Sequence, residues 1–285
     1  MFLTFPTVTH ADRSVVEGVK FDGNRSNFTF ARWEVTCEVW EPNGVDRCIT
    51  RDNRFDNAPG EGIIIQGAYG IIEGNRGYTF GGNGTHTSGC TSPSIEGNTF
   101  INGNLDLSVG HVSGGIGWST YATDVLVSGN YIEAFVCGCG DVSDTNSGAT
   151  IVNNTIKNCY SHGVRISAGA TRVKVARNTI IDCAQDTSKQ TGLGSYGGIF
   201  AAGLSGVDCE ISDNYIDDPL YIVGSSGNAR CVVRDNTVLG ETLIYGLTKT
   251  SVDGGHYTNR VRLGALTDVE LRGLCIEMTG SSSHC

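Results

Sequence analysis

The chain has 285 residues, 39% hydrophobic and 18% charged, with 40 Gly and 5 Pro, so it is a folded globular protein long enough for a sizeable core. That much Gly excludes a helical bundle, where each interior Gly costs about 1 kcal/mol against Ala. No Gly-X-Y period suggests collagen, no apolar run nears the roughly 20 residues of a membrane helix, and a net charge of −10 speaks against general nucleic-acid binding.

Residues 1–6 carry no basic leader, so no secretory signal is expected. From there on the chain repeats itself. Nine segments share an apolar residue, a short polar stretch, Asn, one or two residues and another apolar residue. Their Asn positions are Asn24, Asn53, Asn75, Asn98, Asn130, Asn154, Asn178, Asn214 and Asn236. The separations are 29, 22, 23, 32, 24, 24, 36 and 22, a base period of 22–24 with three longer units.

Each unit predicts short strands of period two, divided by Gly, Asn and Asp corners. A second strand follows the Asn corner, as at Gly62-Ile63, Gly115-Ile116, Gly163-Val164 and Gly198-Ile199. One unit cannot bury its own apolar face, but a stack of units builds a continuous core. Several strands per two-dozen-residue turn mean an all-β parallel β-helix of about ten coils. Leucine-rich repeats share the period, but their Leu frame is absent. The expected organisation is a lead-in at residues 1–14, repeats at 15–240, and last coils with a less regular tail at 241–285.

The Asn column reads as side chains stacked at one corner, hydrogen-bonded up and down the coil. The chain has 11 Cys and no CxxC pair, so a zinc site is not expected. Cys48, Cys209 and Cys231 stand five residues before an Asn, and Cys159 and Cys183 five after one. Buried ladders explain that register better than reactive thiols.

The corners Gly97-Asn98-Thr99-Phe100, Asn153-Asn154-Thr155-Ile156, Arg177-Asn178-Thr179-Ile180 and Asp235-Asn236-Thr237-Val238, with the Gly-Ile strands, carry a resemblance. The chain resembles the right-handed parallel β-helix proteins of the pectate-lyase-like superfamily, a single-stranded solenoid, over roughly residues 15–275. The resemblance implies a carbohydrate-active protein, most like a phage tailspike depolymerase, that binds and cleaves a bacterial surface or cell-wall polysaccharide. It leaves hydrolase and lyase open. It equally admits a non-catalytic receptor-binding or structural β-helix of a virion. A virion or extracellular location follows, with a homotrimer or flanking domains. Neither a clean Asp-based polygalacturonase triad nor a pectate-lyase arginine signature is present.

Aligning the units places two insertions at one corner, between Ile101 and Gly114 and between Cys183 and Gly198. They lie about three coils apart, roughly 14 Å, and would wall a groove. Counting two residues on from each second-strand Gly puts His86, Gly117, Asp141 and Arg165 in one outward column, with His162 and Asp144 at its edge. These five side chains would converge around Gly117, which leaves room for a sugar ring. Asp141 and Asp144 are the candidate hydrolytic carboxylates. Arg165 with His162 or His86 would serve β-elimination from a uronic acid. An ordinary surface ion pair between Asp141 and Arg165 is the plain alternative, and a register slip of one residue would turn Asp141 inward.

His111, Trp118, Tyr121, Asp186 and Tyr196 stand at the proposed walls as candidate substrate contacts, with the rings offering stacking faces. Trp118 reads equally as core. Trp33 and Trp40, with Phe28 and Phe30, read as a local cap or subunit contact. No cofactor is called for. If a metal binds, Ca²⁺ would suit Asp141/Asp144, Asp182/Asp186 or Asp217/Asp218, although acidic corners are ordinarily just solvated.

Overall fold

The structure is a computed structural model that describes residues 8–23, 37–103, 114–119, 121–141, 147–166, 170–184, 197–204, 208–224 and 230–276. Of Cys37, Glu38, Ser119 and Asp141 only the backbone is described. Among the described residues there are three parallel sheets of eleven strands each, and successive strands of the chain enter sheets A, B and C in turn. Sheet A begins with Val8–Thr9, sheet B with Val15–Glu17 and sheet C with Lys20–Asp22. The ladders continue to Val261–Gly264, Glu270–Arg272 and Cys275–Ile276. No helix among the described residues is long and apolar enough to cross a membrane.

Period-two patterning gives each sheet one inward column, and the three columns meet as the core. Sheet B contributes Ile72, Ile95, Val127, Ile151, Val175, Ile211 and Val233, all buried. Sheet C contributes Phe100, Ile132, Ile156, Ile180 and Ile216. Burial of one such side chain stabilises by about 1.5–3 kcal/mol.

The corner between sheets B and C turns on a single residue of left-handed backbone. Gly occupies it at Gly74, Gly97 and Gly129, and Asp52, Asn153, Asp213 and Asp235 take φ between 51 and 58°. Those residue types tolerate that region best. The next residue is the buried Asn of the repeat. Its Nδ2 donates to the Asn of the following coil at 2.9–3.1 Å, from Asn53 through Asn214 to Asn236.

The glycine at the start of the central sheet A strands, from Gly62 to Gly198, has its own cause. A Cβ on Gly138 would lie 2.3 Å from Ile156 Cγ2, and one on Gly163 would lie 2.4 Å from Ile180 Cγ2. Only a bare backbone lets sheet A close over the sheet C isoleucines. The cysteines behave as small core side chains: Cys48, Cys90, Cys137, Cys139, Cys159, Cys183, Cys209 and Cys231 are free and buried.

Candidate functional site

The strand register defines two lines of residues on the outer face of sheet A. The first runs Trp40, Ile64, His86, Gly117, Gly140, Arg165 across neighbouring strands. It continues through Phe200, Tyr221, Leu243 and Arg262. Trp40 and Ile64 open the line, Phe200, Tyr221 and Leu243 lead to Arg262 at the other end, and the centre is glycine, flanked by His86 and Arg165. The second line lies three residues earlier in each strand and holds Glu61, Cys137 and His162, all buried. The coil spacing places Asn83 and Gly114 between Glu61 and Cys137 in that line.

Gly140, not Asp141, stands in the outward line. Asp141 pairs with Trp118, in the register of the inward column, one residue from the expected placement. Trp118 is 1% exposed and fills the core, so it is no wall residue. Tyr121, by contrast, is 66% exposed at a corner. Asp144, His111, Asp186 and Tyr196 lie outside the described residues, as do Trp33, Phe28 and Phe30.

Nor do the expected catalytic residues gather around Gly117. His86 sits one strand away from it and Arg165 two strands away on the other side, so the two are about 14 Å apart at ordinary strand spacing. Asn83 crowds Gly117 from the side, since a Cβ there would lie 3.1 Å from Asn83 Oδ1.

Two polar centres result. In the first, Glu61 is 1% exposed and its Oε1 accepts from Asn83 Nδ2 at 2.6 Å. His86 Nδ1 lies 3.1 Å from the same oxygen, while Asn83 Oδ1 accepts from Gly114 N at 2.6 Å. Glu61 Oε2 is buried without a hydrogen-bond partner. Burial pulls the His86 imidazolium down, but the charge and hydrogen bond of Glu61 outweigh it and hold the histidine above its ordinary value. Glu61 escaped the sequence reading, although its place directly before the inward Gly62 matches that of His162 before Gly163.

The second centre is His162 with Arg165. His162 is fully buried, shares a hydrogen bond with Ser161 Oγ and packs on Phe200 with ring centroids 5.0 Å apart. Arg165 is half-buried, and its Nε is shielded from water without a hydrogen-bond partner. Among the described residues Arg165 has no carboxylate partner. The neighbouring Cys137 thiol donates to Cys139 O at 3.3 Å. Burial pushes that thiol up to about 12, against the pull of Arg165. A neutral thiol of that kind is no nucleophile at physiological pH.

The acidic corner near the same face holds Asp182, Asp217 and Asp218. Asp217 Oδ1 accepts from Asp182 N at 2.9 Å and Asp218 Oδ2 from Cys183 N at 2.5 Å. Burial lifts Asp218 to about 7, opposed by the Cys183 N–H and reinforced by Asp217. Among the described residues no three His, Cys, Asp or Glu side chains are arranged to hold a metal ion.

Comparison with known proteins addresses the fold. Among solved structures the chain is similar to the surface protein and adhesin PfbA of Streptococcus pneumoniae, at 12% identity over 96% of this chain and 91% of that one, with a TM-score of 0.57. It is also similar to the Dettilon tailspike protein, at 14% identity over 92% of this chain and 60% of that one, with a TM-score of 0.47. A third similarity is to the A-module of an Azotobacter vinelandii mannuronan C-5 epimerase, at 14% identity over 95% and 79% of the two chains, with a TM-score of 0.42. No curated protein matches the sequence. The family profile for a right handed beta helix region matches residues 40–216. That match spans more than half of the chain, which therefore belongs to the right-handed β-helix family.

Proposed function

We propose that the chain is a tailspike-like, carbohydrate-active β-helix that binds and cleaves a bacterial surface or cell-wall polysaccharide along the outer face of sheet A. The observation that carries this reading is the outward line itself. Trp40 and Ile64 at one end, and Phe200 and Tyr221 at the other, give apolar faces for sugar rings. Between them the charged groups of His86 and Arg165 are spaced about 14 Å apart, roughly three sugars. Arg165 suits the carboxylate of an acidic sugar, since its guanidinium lacks a carboxylate partner among the described residues. The setting is a virion or the cell exterior, with assembly as a homotrimer or alongside flanking domains.

The test is incubation with neutral and acidic polysaccharides, following reducing ends and unsaturated-uronate absorbance together. Reducing ends alone support hydrolysis, and both signals support elimination. A second reading, binding without cleavage, is favoured by one observation. Two-carboxylate hydrolysis needs a pair about 5–10 Å apart, and Glu61 is the one described carboxylate beside His86. Polymer binding without product would establish it. A monodisperse monomer in light scattering would remove the trimer.

A further inference from the structure

We infer that His86 is the proton-transfer residue of the sheet A face, with Glu61 as its positioning carboxylate and Asn83 as the clamp that fixes Glu61. The inference rests on the polysaccharide reading and names the group that would act on the bound chain. Its basis is an arrangement that packing alone does not require. A carboxylate withdrawn from water is costly unless its oxygens are satisfied, yet Glu61 sits 1% exposed with Oε2 lacking any hydrogen-bond partner.

The satisfied oxygen, Oε1, holds the imidazole through Nδ1 at 3.1 Å. Asn83 ties that oxygen to the backbone of Gly114 through bonds of 2.6 Å on either side. Carboxylate and ring are therefore fixed in position by two strands other than the one that carries His86. With Nδ1 committed to Glu61, proton transfer falls to Nε2. This is the division of labour in which a buried carboxylate orients an imidazole and stabilises its cation.

The groups facing His86 from the neighbouring sheet A strands are Ile64 and Glu61 on one side and Gly117 with Gly114 on the other. Glu61 is the one described charge among them. His86 keeps a partly open ring, its side chain 15% exposed, whereas His162 is fully buried. That difference selects His86 over His162.

The step balances as hydrolysis. The His86 imidazolium gives its Nε2 proton to the departing glycosidic oxygen as the C–O bond breaks. Water bonds through its oxygen to the freed sugar carbon, and the proton it sheds returns to the imidazole. Activity should then be present at low pH and fall as pH rises through the His86 titration.

The experiment compares wild type, Glu61→Gln and His86→Gln on the polymer panel, with the His86 titration followed by NMR in wild type and Glu61→Gln. Expected are loss of turnover in His86→Gln and a fall of about 100-fold in kcat with KM retained in Glu61→Gln. The His86 pKa and the basic limb of the pH profile should both move down in Glu61→Gln. The NMR arm needs no substrate, so it tests the pairing even if the polysaccharide reading fails. An unmoved His86 titration overturns the positioning role of Glu61. Wild-type turnover in His86→Gln, or polymer binding without any product, overturns proton transfer by His86. Silence from every polymer overturns the polysaccharide reading and this inference with it.

Discussion

Asn154 Oδ1 accepts two hydrogen bonds from Asn130, from the backbone N–H at 2.9 Å and from Nδ2 at 3.0 Å. Its own Nδ2 donates to Val127 O, Val152 O and Asn178 Oδ1. Asn98, Asn130 and Asn154 thus each serve their own coil and both neighbours. Asn154→Ala should leave the Asn130 backbone N–H without its acceptor in a buried site and break the ladder on both sides, at a cost of about 3 kcal/mol. Chemical denaturation would measure it. A change below about 1 kcal/mol would mean that water or a shifted neighbour replaces the amide.

Gly163→Ala tests the close approach of sheets A and C. The added Cβ would meet Ile180 Cγ2 at 2.4 Å and Gly198 O at 2.6 Å. Backbone on one side and a packed isoleucine on the other leave little to yield, so about 3 kcal/mol should be lost. The same substitution at the open Gly97, where no atom lies within 4 Å of a Cβ but φ is 62°, should cost about 1–2 kcal/mol through strain alone.

The fold was legible because both repeat signals have local causes. A left-handed corner selects Gly, Asn or Asp before the ladder Asn, and the sheet A and C approach selects Gly before Ile or Val. The site was legible only in part. In Cys137-Gly138-Cys139-Gly140 the count of two from Gly138 falls on Gly140, and a slip of one residue put Asp141 there instead. Glu61 was missed because a carboxylate beside an inward glycine looks like an ordinary solvated corner, and burial is not written in the local sequence. The recurrence of polar side chains before that glycine, at Glu61, Asn83 and His162, was the readable signal. The convergence of His86 with Arg165 failed on arithmetic, since three strand steps exceed any single catalytic contact.

Arg177 occupies the left-handed corner that Gly, Asn or Asp takes in the coils on either side, with φ 56°. Its Nε donates to Asn153 Oδ1 at 3.0 Å on an exposed surface. Arg177→Gly should relieve backbone strain of about 1–2 kcal/mol while losing that weak contact and raising unfolded-state entropy. A net gain of up to about 1 kcal/mol is expected, read as a higher Tm. A lower Tm would mean that the Asn153 contact outweighs the strain.

Arg165→Gln should weaken binding of an acidic polysaccharide by about tenfold or more and leave any neutral polymer unaffected. The salt dependence of binding should fall with it. Titration calorimetry at two ionic strengths separates the cases. Equal loss for acidic and neutral polymers would assign Arg165 to support of the face and not to charge recognition.

Glu41 supplies a prediction about pH. It stands in register with Ile65 on an inward position, 2% exposed, with Oε1 lacking a partner. Gly67 and Gly70 make room for its two oxygens, since a Cβ on either would lie 2.5 or 2.6 Å from one of them. Burial, with the charge of Asp46 adding to it, pushes its pKa up to about 8 from an ordinary 4.5. The folded protein therefore binds a proton that the unfolded chain releases between those values. Stability from this group is fully present below about pH 4.5, falls as pH rises toward about 8 and is flat above. Glu41→Gln keeps the neutral shape and removes the titration. The variant should match wild type near pH 4.5 and exceed it at pH 8 by a few kcal/mol, about 1.4 for each pH unit crossed. Unfolding curves at four pH values would read the slope, and an identical slope in both proteins would mean that Glu41 stays ionised inside the solenoid.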